Sequence, residues 1–330
     1  QACDWSSDVC SSDLVLPAKT DTPRLAAVDA ADRYRPVATV LEGARLAGKA
    51  TGLVATSNIQ HASPAGYSAH WPDRNNYNEI AEQQVYGNID VMLGAGKLWL
   101  LPKDMGGART DGENLVAVLK ARGYAFVEDR DQLRAVKNGK VYGMFAAGDM
   151  AYEFDRRAMA PQQPSLAEMT AKAIELLSQN PKGFFLFVEG SKVDWASHAN
   201  DPVGVISDVL AFDDAVKVAL HFAKKNGNTL VLAFSDHGNG GMSIGSKETD
   251  KNYDHTPVSR YIAPLKQAML TGEGVEKMLA GDLSDSNIRL TVFQYFGVGD
   301  LSDAEVAAIQ TAKKGYMNYV LGPIISKRAG

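Results

Sequence analysis

Cysteine is almost absent: Cys3 and Cys10 are the only two in 330 residues, and both lie in the first ten. The rest of the chain can form neither a disulfide nor a thiolate metal site, and cysteine usage leaves the redox compartment open. No apolar run approaches the roughly 20 residues needed to span a bilayer. The basic, apolar and small-residue order of an export signal is also missing. A basic excess is lacking too: the net charge is -5 and the pI is near 5.7. That balance argues against a nucleic-acid partner, which favours a basic face and a pI above about 9. An anion bound by such a chain must meet local positive charge, from an arginine or a metal ion. No tandem repeat and no linker rich in Pro, Gly or Ser divides the sequence.

What is present is a composition, 45% hydrophobic and 22% charged, that suits a soluble globular chain long enough to bury a large core. Residues 15–330 read as one α/β domain. Residues 1–14 stand apart, because DWSSDVCSSDL repeats Ser-Ser-Asp and has no apolar periodicity. The stretch resembles translated sequencing adapter, or is a flexible polar tail, and either way it is a non-native or disordered tail outside fold reasoning.

From residue 35 onward helical patterns alternate with short apolar runs, the mark of a parallel sheet covered on both faces. A helix around Val37–Ala47 leads to a strand at Gly52–Thr56. Ile89–Leu93 is a second strand, and a helix at Asn114–Ala121 precedes a third at Tyr124–Val127. Ser165 and Glu168 have the spacing of a capping box. Behind them Leu166, Met169, Ala173, Ile174 and Leu177 share one helical face that Asn180-Pro181 ends. Phe184–Val188 has no polar residue, as a strand buried on both faces requires. A helix from Pro202 to Lys224, with Ile206, Leu210, Val216 and Leu220 inward, then returns to an expected strand at Thr229–Phe234. The last third reads as loops with one helix, around Asp303–Lys314.

Two groups with metal-binding chemistry follow the two most apolar runs. After Val188 come Glu189, Asp194 and His198; after Phe234 come Asp236 and His237, with glycines beside them. Ligands of open parallel sheets bind at the carboxyl ends of strands, and Asp194 and His198 at i, i+4 share a helix face. Carboxylate and imidazole together are a usual zinc donor pair. Either motif alone is commonplace on a solvated surface; their joint position is what gives them weight. A third cluster, His61-Ala-Ser63-Pro64 through Arg74, reads as a helix with Ser63 at its N-cap and Pro64 at its first position, ending near Arg74. A guanidinium there has the fork that grips phosphate bidentately, though a surface charge is the alternative.

The blocks HASPAGYSAHWPDRN, GNIDVMLGAG, GDMAYEFDR, PSLAEMTAKAIELLSQNPKGFFLFVEGSKVDWASHANDP and SDHGNGG, in this order, resemble the alkaline phosphatase family over nearly all of residues 15–330. The resemblance implies a three-layer α/β/α sandwich with a mainly parallel central sheet. It implies hydrolysis of small-molecule phosphate monoesters with two Zn2+ and one Mg2+. By this resemblance Asp194 and His198 are ligands of one zinc, Asp236 and His237 of the other, and Glu189 and Ser63 of magnesium. Arg74 is the catalytic phosphate-binding arginine, and His61 lies beside the magnesium site. The implied route is phosphoryl transfer to a serine, giving a phosphoserine that a zinc-bound hydroxide hydrolyses. A homodimer in the periplasm or secreted medium is implied as well.

The family's nucleophile block, Asp-Ser-Ala, has no counterpart: counting back from Pro17-Ala-Lys-Thr20 lands near Ser7, whose neighbours do not match. A bridging aspartate and a last zinc histidine are likewise expected outside this sequence, so the chain reads as a fragment lacking the nucleophile. His255 reads as a loop histidine, and His70 and His221 as packing or surface residues. The competing readings are a phosphodiesterase or sulfatase of the same superfamily and a non-catalytic metal-binding remnant.

Overall fold

The computed structural model describes residues 34–243, 252–279 and 281–328, so the tail at 1–14 lies outside the described residues. The described elements in order are α1 (Val40–Leu46), β1 (Ala50–Asn58), α2 (Ala62–Ser68), α3 (Tyr77–Tyr86), β2 (Val91–Ala95), α4 (Leu115–Ala121), β3 (Ala125–Val127), α5 (Arg130–Ala135), β4 (Val141–Met144), α6 (Glu153–Met159) and α7 (Leu166–Leu177). They continue with β5 (Phe184–Glu189), α8 (Lys192–His198), α9 (Pro202–Asn226), α10 (Val258–Gln267), α11 (Gly272–Leu279), α12 (Asp285–Phe296), α13 (Asp303–Thr311) and α14 (Asn318–Arg328). Two compact units are present. One takes the described part of Gln1–Met150 with Gln162–Glu189 and Asp214–Leu232; the other takes Ala151–Pro161, Gly190–Asp213 and the described part of Ala233–Gly330.

The first unit is built on a five-stranded sheet in the order β3-β4-β2-β1-β5, with every pairing parallel. Successive residues of a strand face opposite sides. Leu53 and Ala55 of β1 enter a core with Leu41 of α1, Val85 of α3 and Leu119 of α4. Gly52 faces the other way, and a Cβ there would sit 2.7 Å from Leu177 Cδ1, so α7 covers the second face at close range. The capping box that starts α7 is present, with Glu168 N donating to Ser165 Oγ at 3.1 Å and Ser165 N to Glu168 Oε2 at 2.9 Å. This is the α/β sandwich expected from the alternating pattern.

Three expected features differ. Thr229–Phe234 is not a strand, and Leu230, Leu232 and Phe234 are 81%, 71% and 75% exposed. Among the described residues β5 pairs only with β1, so it is an edge strand, half-buried throughout rather than buried on both faces. An apolar run fixes how a segment would be covered, but not that a neighbour exists to cover it. On α9 the buried stripe is Gly204, Asp208, Ala211 and Ala215, spaced by four, three and four, while Ile206, Leu210 and Leu220 are exposed. Small residues permit the closest approach, and hydrogen bonds keep Asp208 on that seam.

The second unit is helical, which corrects the expectation of loops in the last third. Val275 and Leu279 of α11, Ile288 and Val292 of α12, Ile309 of α13 and Leu321 of α14 meet in its core. Asp201 precedes Pro202, the first residue of α9, and its Oδ1 accepts from the backbone N–H of Val203 and Gly204, both at 3.0 Å. That is N-cap chemistry with proline where no N–H is needed. Its Oδ2 accepts from Gly272 N at 2.8 Å, at the start of α11.

Candidate functional site

In the first unit β1 and β5 run side by side with Ala55 opposite Glu189, so the ends of both strands lie at one edge of the sheet. Glu189, the last residue of β5, is half-buried there. Past β1 the chain reaches His61, extended at φ -63° and ψ 158°, which is the N-cap of α2. Ser63 is thus inside the first turn rather than at the cap, and the helix stops at Ser68 rather than near Arg74. Pro64 fits anywhere in a first turn, where its missing N–H costs nothing, so it could not fix which residue caps. Arg74 is half-buried in the loop before α3. Beside that loop, Asn58 donates to Asp149 Oδ1 through its backbone N–H at 2.7 Å and its amide at 3.0 Å. Burial, helped by Asp149 and opposed by Arg74, pushes the Tyr77 hydroxyl above its ordinary value.

In the second unit Asp194 and His198 share one face of α8, with Nε2 of His198 3.5 Å from Oδ1 of Asp194. Asp236 and His237 follow an irregular segment rather than a strand end, and their side chains are 51% and 35% exposed. Their Oδ2 and Nε2 atoms are 3.4 Å apart, and His237 N donates to Asp236 Oδ1 at 3.0 Å. Two ligands about 2.1 Å from a tetrahedral zinc sit about 3.4 Å apart, so each Asp-His pair has the bite of such an ion. Each supplies two donors. Among the described residues no group of three or more His, Cys, Asp or Glu side chains converges on one point.

Around α8 lies a buried polar network to which sequence reasoning assigned no role. The Lys192 side chain is 3% exposed, and its Nζ lies 4.6 Å from the ring centres of Tyr152 and Trp195 and 3.4 Å from Glu273 Oε2. Burial works to raise the Glu273 carboxyl, but the ammonium groups of Lys192 and Lys277 hold it below its ordinary value. Asp155 accepts from Thr271 N at 2.8 Å and Thr271 Oγ1 at 2.6 Å, and burial raises its carboxyl. Asp208, also buried, is pushed up to about 7. Asn239 donates to Asp194 Oδ1 at 2.6 Å and to its backbone carbonyl at 3.3 Å. Asn239 was legible only as part of the SDHGNGG block; the rest lie at positions that periodicity alone assigns to core or surface. His255 is exposed beside Asp254, and His70 packs 3.0 Å from Glu42, in line with loop and packing roles.

Known proteins resemble this chain over most of its length. The alkaline phosphatase family model matches residues 18–278. Alkaline phosphatase 4 of Bacillus subtilis is 44% identical over 230 residues, covering 68% of this chain and 47% of that protein. The crystal structure of Thermus thermophilus alkaline phosphatase superposes with a TM-score of 0.74 at 32% identity, over 83% of this chain and 56% of that one. A variant of the alkaline phosphatase from the Antarctic bacterium TAB5, solved with magnesium bound, superposes with a TM-score of 0.56 at 32% identity, over 65% and 59%. The chain spans about half the length of the curated relatives it matches. No described helix is long and apolar enough to cross a membrane. With a matching family model over most of its length, a parallel sheet that superposes on solved members and the ordered blocks in its sequence, the chain belongs to the alkaline phosphatase family.

Proposed function

We propose that this chain carries most of the metal and phosphate site of a phosphomonoesterase. The observation that supports the reading best is the pair of Asp-His bites in one unit, at 3.5 and 3.4 Å, each of the size zinc needs. In this reading Asp194 and His198 hold one zinc, Asp236 and His237 the other, and Ser63 and Glu189 supply oxygen donors for magnesium, which prefers them. Bound together, such ions would clamp the oxygens of a phosphoryl group and lower the pKa of bound water toward about 7. The chain's own contribution is to present imidazoles and carboxylates from one helix and one loop, and to hold non-bridging phosphate oxygens with the Arg74 fork. Small phosphate monoesters are the proposed substrates of the whole protein, with phosphoserine formed on a residue outside the blocks matched here. A homodimer placed in the periplasm or secreted completes the proposal.

Calorimetric titration of the zinc- and magnesium-loaded chain with inorganic phosphate tests it. Saturable binding is expected that disappears with chelator and weakens at least tenfold in Arg74→Ala. Equal binding by loaded and stripped protein sinks the reading. Hydrolysis of p-nitrophenyl phosphate at a normal enzyme rate would put the nucleophile inside these 330 residues and defeat that part. A second reading, a non-catalytic remnant without a formed metal site, is favoured by the lack of any convergent three-donor group among the described residues. Zinc content after mild dialysis separates them: two or more equivalents support a formed site, and none supports the remnant.

A further inference from the structure

We infer that Asn239 is a positioning residue for the Asp194 carboxylate, and that through it the loop bearing Asp236 and His237 is held against α8. The inference rests on the reading of Asp194 as a metal ligand. Both atoms that Asn239 faces, Oδ1 and the backbone carbonyl of Asp194, only accept hydrogen bonds, so the amide must turn its NH2 toward them. At 2.6 Å the contact to Oδ1 is slightly shorter than a typical charge-assisted N–H···O bond. A carboxylate keeps lone pairs on both oxygens after accepting one N–H, so the bond leaves capacity for a metal ion while removing rotational freedom.

A second observation places the same loop against the same helix. Gly240 has φ +69°, and a Cβ there would lie 3.0 Å from Ser197 O and 3.2 Å from Ser197 Cβ. The loop therefore touches α8 at Asp194 and again at Ser197, and the residue at the second contact can carry no side chain without moving something. Asp236 and His237, a few residues back, have side chains 51% and 35% exposed, so burial alone does not fix where their donors point. Pinning the loop beside the Asp194–His198 face sets that direction instead. Partners that orient a metal ligand are worth about 10–100-fold in metal affinity.

The test is titration of the full chain with Co2+, read by its visible absorption, with Zn2+ competition for affinity. Asn239→Leu keeps the bulk and removes the donor. It is expected to weaken Co2+ binding at least tenfold and change the absorption band, while the metal-free thermal midpoint stays near the parent value. Asn239→Gln, which returns an NH2 on a longer arm, is expected to recover part of the affinity. Gly240→Ala is expected to weaken binding with all donors intact. Wild-type affinity and spectrum in Asn239→Leu overturn the inference even though the metal site stands. Absence of Co2+ binding by the parent chain, with its fold intact by circular dichroism, overturns the ligand reading and this inference with it.

Discussion

The Asp208 carboxyl offers the sharpest test of the electrostatics inside the helical unit. It is 4% exposed on the small-residue seam of α9. It accepts from Ser207 Oγ at 2.8 Å and from Glu153 N at 3.2 Å, with Lys192 attracting its charge and Glu153 repelling it. Burial dominates and moves its pKa from an ordinary value near 3.8 to about 7. Below pH 3.8 both folded and unfolded chains hold the proton. As pH rises toward 7 the unfolded chain releases it while the folded chain keeps it, so stability is lost across that window and levels off above it. The slope reaches at most about 1.4 kcal/mol per pH unit, and a shift of roughly three units integrates to about 4 kcal/mol. Between pH 5 and 8 the loss from this group is about 2.5 kcal/mol. In Asp208→Asn an amide oxygen at the Oδ2 position can accept from both Ser207 Oγ and Glu153 N as the carboxylate does, so shape and bonding survive and titration does not. Urea denaturation of both chains at pH 5 and 8 reads the difference. The wild type is expected to lose about 2.5 kcal/mol more than the variant over that interval, leaving the variant the more stable at pH 8. Parallel pH profiles for the two proteins refute the argument.

Leu232→Ser removes an apolar side chain that is 71% exposed, so its stability should stay within about 0.5 kcal/mol of the parent while solubility improves. A loss above 2 kcal/mol by denaturation would mean that the segment is buried in solution. Leu177→Ala empties the space against Gly52 beneath α7, where the side chain is 1% exposed, and should cost about 2–5 kcal/mol. Thermal unfolding checks it, and a cost below 1 kcal/mol would contradict the close packing.

Four of the five strands of the sheet were readable from composition and the main helix from a capping box, whereas β4 (Val141–Met144), interrupted by Gly143, was not. The apolar run in β5 and the Ser165–Glu168 pair both lie in elements where the pattern put them. Thr229–Phe234 has the same kind of composition as β5, yet strand pairing depends on a neighbour that a local pattern does not encode. The register of α9 failed for a related reason: Leu210 is more apolar than Ala211, but the seam selects for size and takes the alanine. After residue 257, α10 and α11 carry a clear amphipathic pattern whereas α12, α13 and α14 carry little, and tertiary burial in one shared core sustains them. At the site, residue types were legible and supports were not. Asp194 and His198 stand at helical spacing in the sequence, whereas the bond from Asn239 spans 45 residues and exists only once the loop has folded back.

Asp201 carries a consequence for the order in which the chain becomes stable. Its carboxylate begins α9 with the N–H groups of Val203 and Gly204, but its third donor, Gly272 N, lies 71 residues further on. At about 5–20 residues per second, synthesis delivers that donor some 4–14 seconds later. Until then the carboxylate lacks the third of its backbone donors. Asp201 completes its bonds only where the start of α11 meets the start of α9, so one side chain ties the beginnings of two helices together.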